Sequence, residues 1–401
     1  MRSLAAITGI GVLSPAGAGE EALWRGLTGG EDRRGSWPKR VLSGYPIDNV
    51  VPIPEDLWKT TSASAAHPGN RAASLADFAV GQALAQAGLP DRAGLRVGCI
   101  LSSTTAGVEA AEDDVLGLRP VPTPSDLDGS VIVPTGARRW TGPTGVISTA
   151  CSSGLVAPAL AIDALAAGEA DAMVAGGLDV LLEYTICGFN ALRLAAGDRC
   201  RPFAQGRRGV VLSEGVACFC LEPLEAALRR GARIRAIVTG YGMSCDADHV
   251  TAPNPAGVAR AVAAALETGG TAPGAIGGIF AHATGTQAND ATEVAALRTV
   301  FGTGGLPPIT AVKSVMGHPQ AGAGAMSLLA AVLALENSWL PPTAGLDELD
   351  PALGGIDIVT GSGRALDKRT LMVNAFGFGG NNCVMTVADL DGVAGHRAGG
   401  A

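Results

Sequence analysis

The chain has 401 residues, 47% of them hydrophobic and 16% charged, with a formal net charge of −8 and 57 glycines against 4% aromatics. This composition excludes a disordered chain, and the lack of any basic run longer than a pair argues against a nucleic-acid partner. Small residues in place of bulky ones point to closely packed helices and many tight strand–helix turns.

The first element is a strand over Ala5–Val12 that runs into a glycine-rich turn and a helix around Glu20–Leu27. The apolar start, Leu4–Pro15, is punctuated by glycines and has no clear cleavage site, so a buried strand is expected rather than a leader, and a cytoplasmic protein. Residues 28–70 and 113–145 are rich in Pro, Gly, Asp and Arg and read as long surface excursions. Between them, "QALAQAGLPDRAGLRVGCILSSTTAG" (82–107) reads as helix, turn, apolar strand and polar strand end. "GVISTACSSGLVAPALAIDALAAG" (145–168) is a strand opening into a small-residue helix, with Cys151 at the turn. Cys218 and Cys220 alternate on one later strand. The apolar run Ala321–Leu335 ends at Glu336, too short and too rich in small residues to span a bilayer, and reads as a buried helix.

The same plan then repeats. "AALETGGTAPGAIGGIFAHATGT" (264–286) matches the 82–107 pattern, and "PPITAVKSVMGHPQAGAGAMSLLAAVLAL" (307–335) matches 145–168. The expectation is an α/β fold of two similar halves, residues 1–245 and 246–391, followed by a flexible tail, 392–401. A pseudo-twofold between such halves would gather corresponding strand ends, and with them Cys151, His282 and the Lys313–His318 turn, into one pocket.

The eight cysteines (99, 151, 187, 200, 218, 220, 245 and 383) show no CxxC pair and no histidine cluster, so free thiols and no metal site are expected. Seven read as core residues. Cys151 differs: at a helix start it faces unsatisfied N–H groups and the positive end of the helix dipole, both of which favour the nucleophilic thiolate. His282 and His318 stand at a strand end and a glycine turn, where two neutral imidazoles can stabilise a carbonyl oxygen that becomes an enolate. Lys313 supplies positive charge nearby or pairs with Glu293.

In order and spacing, "TACSSG", "HATGTQAND", "KSVMGH" and "NAFGFGGNN" resemble the β-ketoacyl synthase family of the thiolase fold, and "ITGIGVLSPAG", "MVAGGLD" and "RPFAQGRRGVVLSEGVA" support this from about residue 5 to 390. The resemblance implies a five-layer α-β-α-β-α fold and an elongating, two-histidine condensing enzyme. It implies that Cys151 takes an acyl group from a carrier-protein thioester, and that His282 and His318 promote loss of carbon dioxide from malonyl-carrier protein. The backbone N–H groups of Cys151 and Phe378 would hold the oxyanion, with Phe378 also a gate. Thr284, Thr286 and Phe376 would meet the substrate arm, and Lys313 and Glu293 would form an electrostatic pair behind the histidines. No metal or tightly bound cofactor is implied, because phosphopantetheine arrives on the acyl carrier protein. Expected assemblies are a homodimer or a heterodimer of the ketosynthase/chain-length-factor type.

Three departures accompany the resemblance. Ala283 stands where the family commonly has glycine; Ala204 and Arg208 replace acidic residues, which places the local salt-bridge network in question. The departures favour specialised polyketide or fatty-acid biosynthesis, with acyl transfer from Cys151 to an oxygen or nitrogen nucleophile as the alternative. Arg138, Arg139, Arg207 and Arg208 are candidate contacts for an acidic carrier protein.

Overall fold

The computed structural model describes residues 4–37, 49–60, 67, 69–89, 94–117, 128–134 and 140–398. Parts of both predicted excursions, and Arg138 and Arg139, lie outside them. Ten strands carry the architecture. The first five are β1 (Ala5–Ser14), β2 (Val97–Ser102), β3 (Thr144–Ile147), β4 (Ala172–Asp179) and β5 (Gly215–Pro223). The second five are β6 (Ala236–Cys245), β7 (Gly278–Phe280), β8 (Ile309–Thr310), β9 (Thr370–Gly377) and β10 (Asn381–Ala388).

Across the sheet the order is β8-β7-β9-β10-β6-β1-β5-β4-β2-β3. From either edge inward, each half therefore presents its third, second, fourth, fifth and first strand. Directions repeat as well: the second strand runs parallel to the third and fourth, while the fifth is antiparallel to both the fourth and the first. The halves join through three antiparallel pairs, Ala5–Val238, Ala6–Ile237 and Ile7–Ala236. The plan thus starts anew at Ala236, and a division placed at residue 245 falls at the far end of β6.

Five helices complete the layers: α1 (Arg71–Gln86), α2 (Ser153–Ala166), α3 (Pro255–Gly269), α4 (Gln287–Phe301) and α5 (Gly322–Asn337). α1 covers the outer face of the first half-sheet, α3 and α4 cover that of the second, and α2 and α5 pack between the two. α5 is apolar on every side and buried from Gly322 to Leu335, as a helix sandwiched between sheets must be. Glycine explains how tightly the layers close. A Cβ on Gly9 or Gly11 of β1 would stand 2.0 or 1.8 Å from the Ala83 or Ala79 carbonyl of α1. Gly240 and Gly242 of β6 meet Ala265 and Ala261 of α3 in the same way, at 2.5 and 2.3 Å.

Two expectations need correction. The C-terminal segment is not a featureless tail: Leu390–Ala398 is helical, with Val393 buried and the Gly392 N–H donating to Asp389. Not all seven other cysteines are core residues, because Cys245 is exposed and Cys187 half-buried. Among the described residues no helix is long and apolar enough to cross a membrane.

Candidate active site

Cys151 lies in the turn between β3 and α2. Its neighbour Ala150 has φ 54°, a left-handed conformation that costs an L-residue on the order of 1–2 kcal/mol. Hydroxyl groups hold the turn in place: Ser152 Oγ donates to the Thr149 carbonyl at 2.8 Å, and the Thr149 N–H donates to Ser153 Oγ at 2.7 Å. From the other half, Gly377 at the end of β9 closes on the same turn. A Cβ there would stand 2.6 Å from the Thr149 carbonyl and 3.1 Å from the Cys151 nitrogen. The backbone N–H groups of Cys151 and Phe378 consequently both lie against the thiol.

A helix start favours thiolate, yet the resting thiol is neutral. Burial pushes the Cys151 thiol up to about 12; the charge of Lys313 and the two N–H groups oppose this by less, and Asp179 adds to the rise. Desolvation is the largest of these effects.

His282 follows β7 and is gripped on both sides of its peptide. Glu293 on α4 accepts from the His282 and Ala283 N–H groups, each at 2.8 Å, and from Asn374 Nδ2 at 2.9 Å. Lys313 Nζ donates to the His282 carbonyl at 2.5 Å and sits 3.2 Å from its Nδ1. With an ammonium donor facing Nδ1, the ring proton belongs on Nε2. The expected Lys313–Glu293 pair is therefore indirect: the two make no ion pair with each other and meet through His282. Burial lowers Lys313 to about 8, opposed by Cys151 and Glu293, and raises Glu293 to about 7.

His318 is clipped by the segment that precedes β5. Its N–H donates to the Val211 carbonyl at 2.7 Å, and its own carbonyl accepts from the Ser213 N–H at 3.2 Å. Gly317 makes this clip possible, since its φ is 68° and a Cβ would stand 2.9 Å from the Val211 carbonyl. The His318 Nδ1 is buried without a partner. The two imidazoles stand edge to face, 5.7 Å apart, with Phe376 5.5 Å from His282. Burial, with the charge of Lys313, holds both well below the usual imidazole range, so both are neutral.

One cavity of about 310 Å³ brings together Cys151, His282, His318, Thr284, Thr286, Phe376 and Phe378, while Lys313 and Glu293 lie behind it. The Thr284 and Thr286 hydroxyls are 3.0 Å apart, and Thr286 also caps α4. Arg207 and Arg208 part company. Arg207 is buried and cannot serve as a docking surface; Asp290 at 3.3 Å and Asp350 at 2.6 Å supply the ion pairs that Ala204 and Arg208 cannot. Arg208 is exposed at the cavity. Among the described residues, no group of three or more His, Cys, Asp or Glu could hold a metal.

Several site residues went unnoticed in the sequence. Phe189 stacks on Phe378 at 5.8 Å, and the Gly379 N–H donates to the Val250 carbonyl at 2.7 Å, which ties the Phe378 loop to the segment His249–Pro253. Asn374 completes the Glu293 cradle. Two phenylalanines in a chain with only eight were the available signal for the stack.

The chain matches known proteins over most of its length. The family model described as "Beta-ketoacyl synthase, N-terminal domain" matches residues 4–227, and that described as "Beta-ketoacyl synthase, C-terminal domain" matches 235–347. The chain is 34% identical to Nodulation protein E of Rhizobium meliloti (strain 1021), over 94% of this chain and 97% of the relative. It is similar to a chain of the ishigamide ketosynthase/chain length factor, with TM-score 0.83, 31% identity, and 97% and 100% of the two chains covered. It is also similar to a chain of "AntDE:AntF (apo): type II PKS acyl-carrier protein in complex with its ketosynthase bound to the hexaketide", with TM-score 0.87, 25% identity, and the same two shares covered.

Proposed function

Because this chain belongs to the β-ketoacyl synthase family, we propose that it joins an acyl group held on Cys151 to a malonyl group carried as a thioester on an acyl carrier protein. In the first step the Cys151 sulfur displaces the carrier thiol from an acyl thioester, and the thiol proton leaves with the carrier sulfur. In the second, the thioester carbonyl of the malonyl group lies against the His282 Nε2–H and His318. Loss of carbon dioxide leaves an enolate, which these neutral donors stabilise without first giving up a proton. Its carbon attacks the acyl-Cys151 carbonyl, the resulting oxyanion lies between the Cys151 and Phe378 N–H groups, and collapse breaks the carbon–sulfur bond, which frees the β-ketoacyl thioester and a Cys151 thiolate that takes up a proton from water.

The observation that carries this reading is the shared cavity: a thiol from the first half and two neutral imidazoles from the second line one space. Oxyanion donors of this kind are worth roughly 2.7–4 kcal/mol each. The phosphopantetheine arm belongs to the carrier, and the paired Thr284 and Thr286 hydroxyls beside Phe376 suit its amides and its alkyl stem. The free thiols support a reducing, cytoplasmic setting. β3 is a half-exposed edge strand, which supports pairing with a second subunit, either another copy or a chain-length-factor-type partner.

Intact-mass spectrometry with a panel of acyl-carrier proteins tests the proposal, with Cys151→Ala as control and malonyl-carrier protein added second. An adduct absent from the variant, followed by a β-keto product, is expected. An adduct that is never elongated would replace condensation with transfer to another nucleophile, and no adduct with any donor would overturn both.

A further inference from the structure

The two halves make the same crossing twice, and only one of the two is open. In the second half, the end of β9 reaches across to the turn before α2, and the Cys151 and Phe378 amides are left facing the cavity. In the first half, β4 has the same eight-residue length and the same place in the sheet, and its last residue is Asp179. That end reaches across to the turn before α5, where Asp179 Oδ2 accepts from the Ala321 N–H at 2.7 Å. The carboxylate is fully buried and also accepts from Ser103 Oγ at 2.6 Å, from the Thr104 N–H and Oγ1 at 2.8 and 2.7 Å, and from the Thr105 N–H and Oγ1 at 3.0 and 2.8 Å.

We propose that Asp179 is a positioning residue for the condensation, a built-in anion that fills the twin of the oxyanion site and fixes the His318 turn through Ala321. This role rests on the function proposed above. Burial raises the Asp179 carboxyl above its usual range, and the six donors oppose that rise and favour the charged form. Only Pro319 and Gln320 separate His318 from Ala321. Gln320 has φ 42°, and the turn is braced by Asp179 on one side of Ala321 and by Val211 and Ser213 on the other. The Asp179 charge also opposes the ionisation of Cys151. Asp179 thus acts in opposite senses on the two groups: it steadies the imidazole and restrains the thiol.

Asp179→Asn separates these effects. Cys151 alkylation by iodoacetamide, read by mass against pH, needs no natural substrate and is independent of the proposed reaction. It is expected to quicken about threefold at pH 9, while carbon dioxide release from malonyl-carrier protein falls about tenfold. A loss of packing alone would not split the two readouts in this way, and circular dichroism verifies that the variant is folded. Unchanged alkylation together with unchanged decarboxylation overturns the proposal, as does a parallel fall in both. Faster alkylation of the variant, beside a wild-type protein that releases no carbon dioxide, would retain the charge relationship and reject the condensing reading instead. If the asparagine variant does not fold, Ser103→Ala removes one donor and keeps the carboxylate. Its expected result is a two- to threefold loss in decarboxylation, on the order of 0.5 kcal/mol, with alkylation unchanged; equal decarboxylation would overturn the proposal.

Discussion

Lys313 and Glu293 hold one residue from opposite sides without touching: Nζ donates to the His282 carbonyl, and the carboxylate accepts the His282 N–H. The imidazole is thereby fixed in position and tautomer by two charges that never neutralise each other directly. Lys313→Met keeps the buried volume and removes the donor. Decarboxylation is expected to fall about 100-fold, the scale of losing one preorganised electrostatic contact, while Cys151 still accepts an acyl group. Single-turnover carbon dioxide release beside intact mass checks this, and equal loss of both half-reactions would contradict it.

The same two groups shape stability against pH. Glu293 is raised to about 7, so between about 4.5 and 7 the folded chain keeps a proton that the unfolded chain has released, and stability falls as pH rises. Lys313 is lowered to about 8, so between about 8 and 10.5 the folded chain has lost a proton that the unfolded chain still holds, and stability rises with pH. Together they produce a trough near pH 7–8. Melting temperatures across this range should show the trough in the wild type and a flatter profile in Glu293→Gln/Lys313→Met.

Cys151 should behave as a protonated thiol. With burial holding it near 12, the rate of iodoacetamide alkylation should rise about tenfold per pH unit from 7 to 10. A plateau below pH 8 would mean that the thiolate is already formed at rest, as its place at a helix start alone suggests.

How much of this was legible in the sequence follows from what each signal encodes. The duplicated plan, the buried strand at Ala5 and the apolar run from Ala321 are local patterns, and the fold follows them. Cys151, His282 and His318 share a cavity because they sit at strand-to-helix turns, which glycine and β-branched runs mark in one dimension. The neutral thiol was not legible, because desolvation, the largest effect on it, is a property of the packed layers. Asp179 closes the supporting stretch "MVAGGLD", which names no partner for it; its six donors come from residues 103–105 and 321, far apart in the chain. The indirect Lys313–Glu293 relationship was hidden for the same reason, since a pairing of types does not say what lies between them.

Ala283 carries a backbone cost that sequence comparison only hinted at. Its φ is 39°, in the left-handed region, and its methyl is fully buried. Ala283→Gly relieves strain but loses a packed methyl and adds unfolded-state entropy, so the net change should stay within about 1 kcal/mol. Ala283→Val places a branched Cβ in that conformation and should cost more than about 2 kcal/mol. Urea denaturation of both variants measures the contrast, and equal stabilities would remove the backbone argument.

Gly154 governs the distance between the nucleophile and its partners. A Cβ there would stand 2.5 Å from the Ala321 carbonyl and 2.6 Å from the Ala325 nitrogen, where α2 and α5 cross. Gly154→Ala should destabilise the chain by about 1–3 kcal/mol through overpacking and lower condensation more than Cys151 acylation, since the halves must move apart. Denaturation and the two half-reactions give the answer.

The seam between the halves is narrow in the sheet, three residue pairs between β1 and β6, and broad through the central helices. The proposed reaction draws the thiol from one side of that seam and both imidazoles from the other. The molecule is therefore its own assembly sensor. A chain cleaved ahead of Ala236 would yield two inert pieces whose recovered turnover counts correctly docked pairs, and a substitution anywhere along the helix crossing would be heard first as a change in rate.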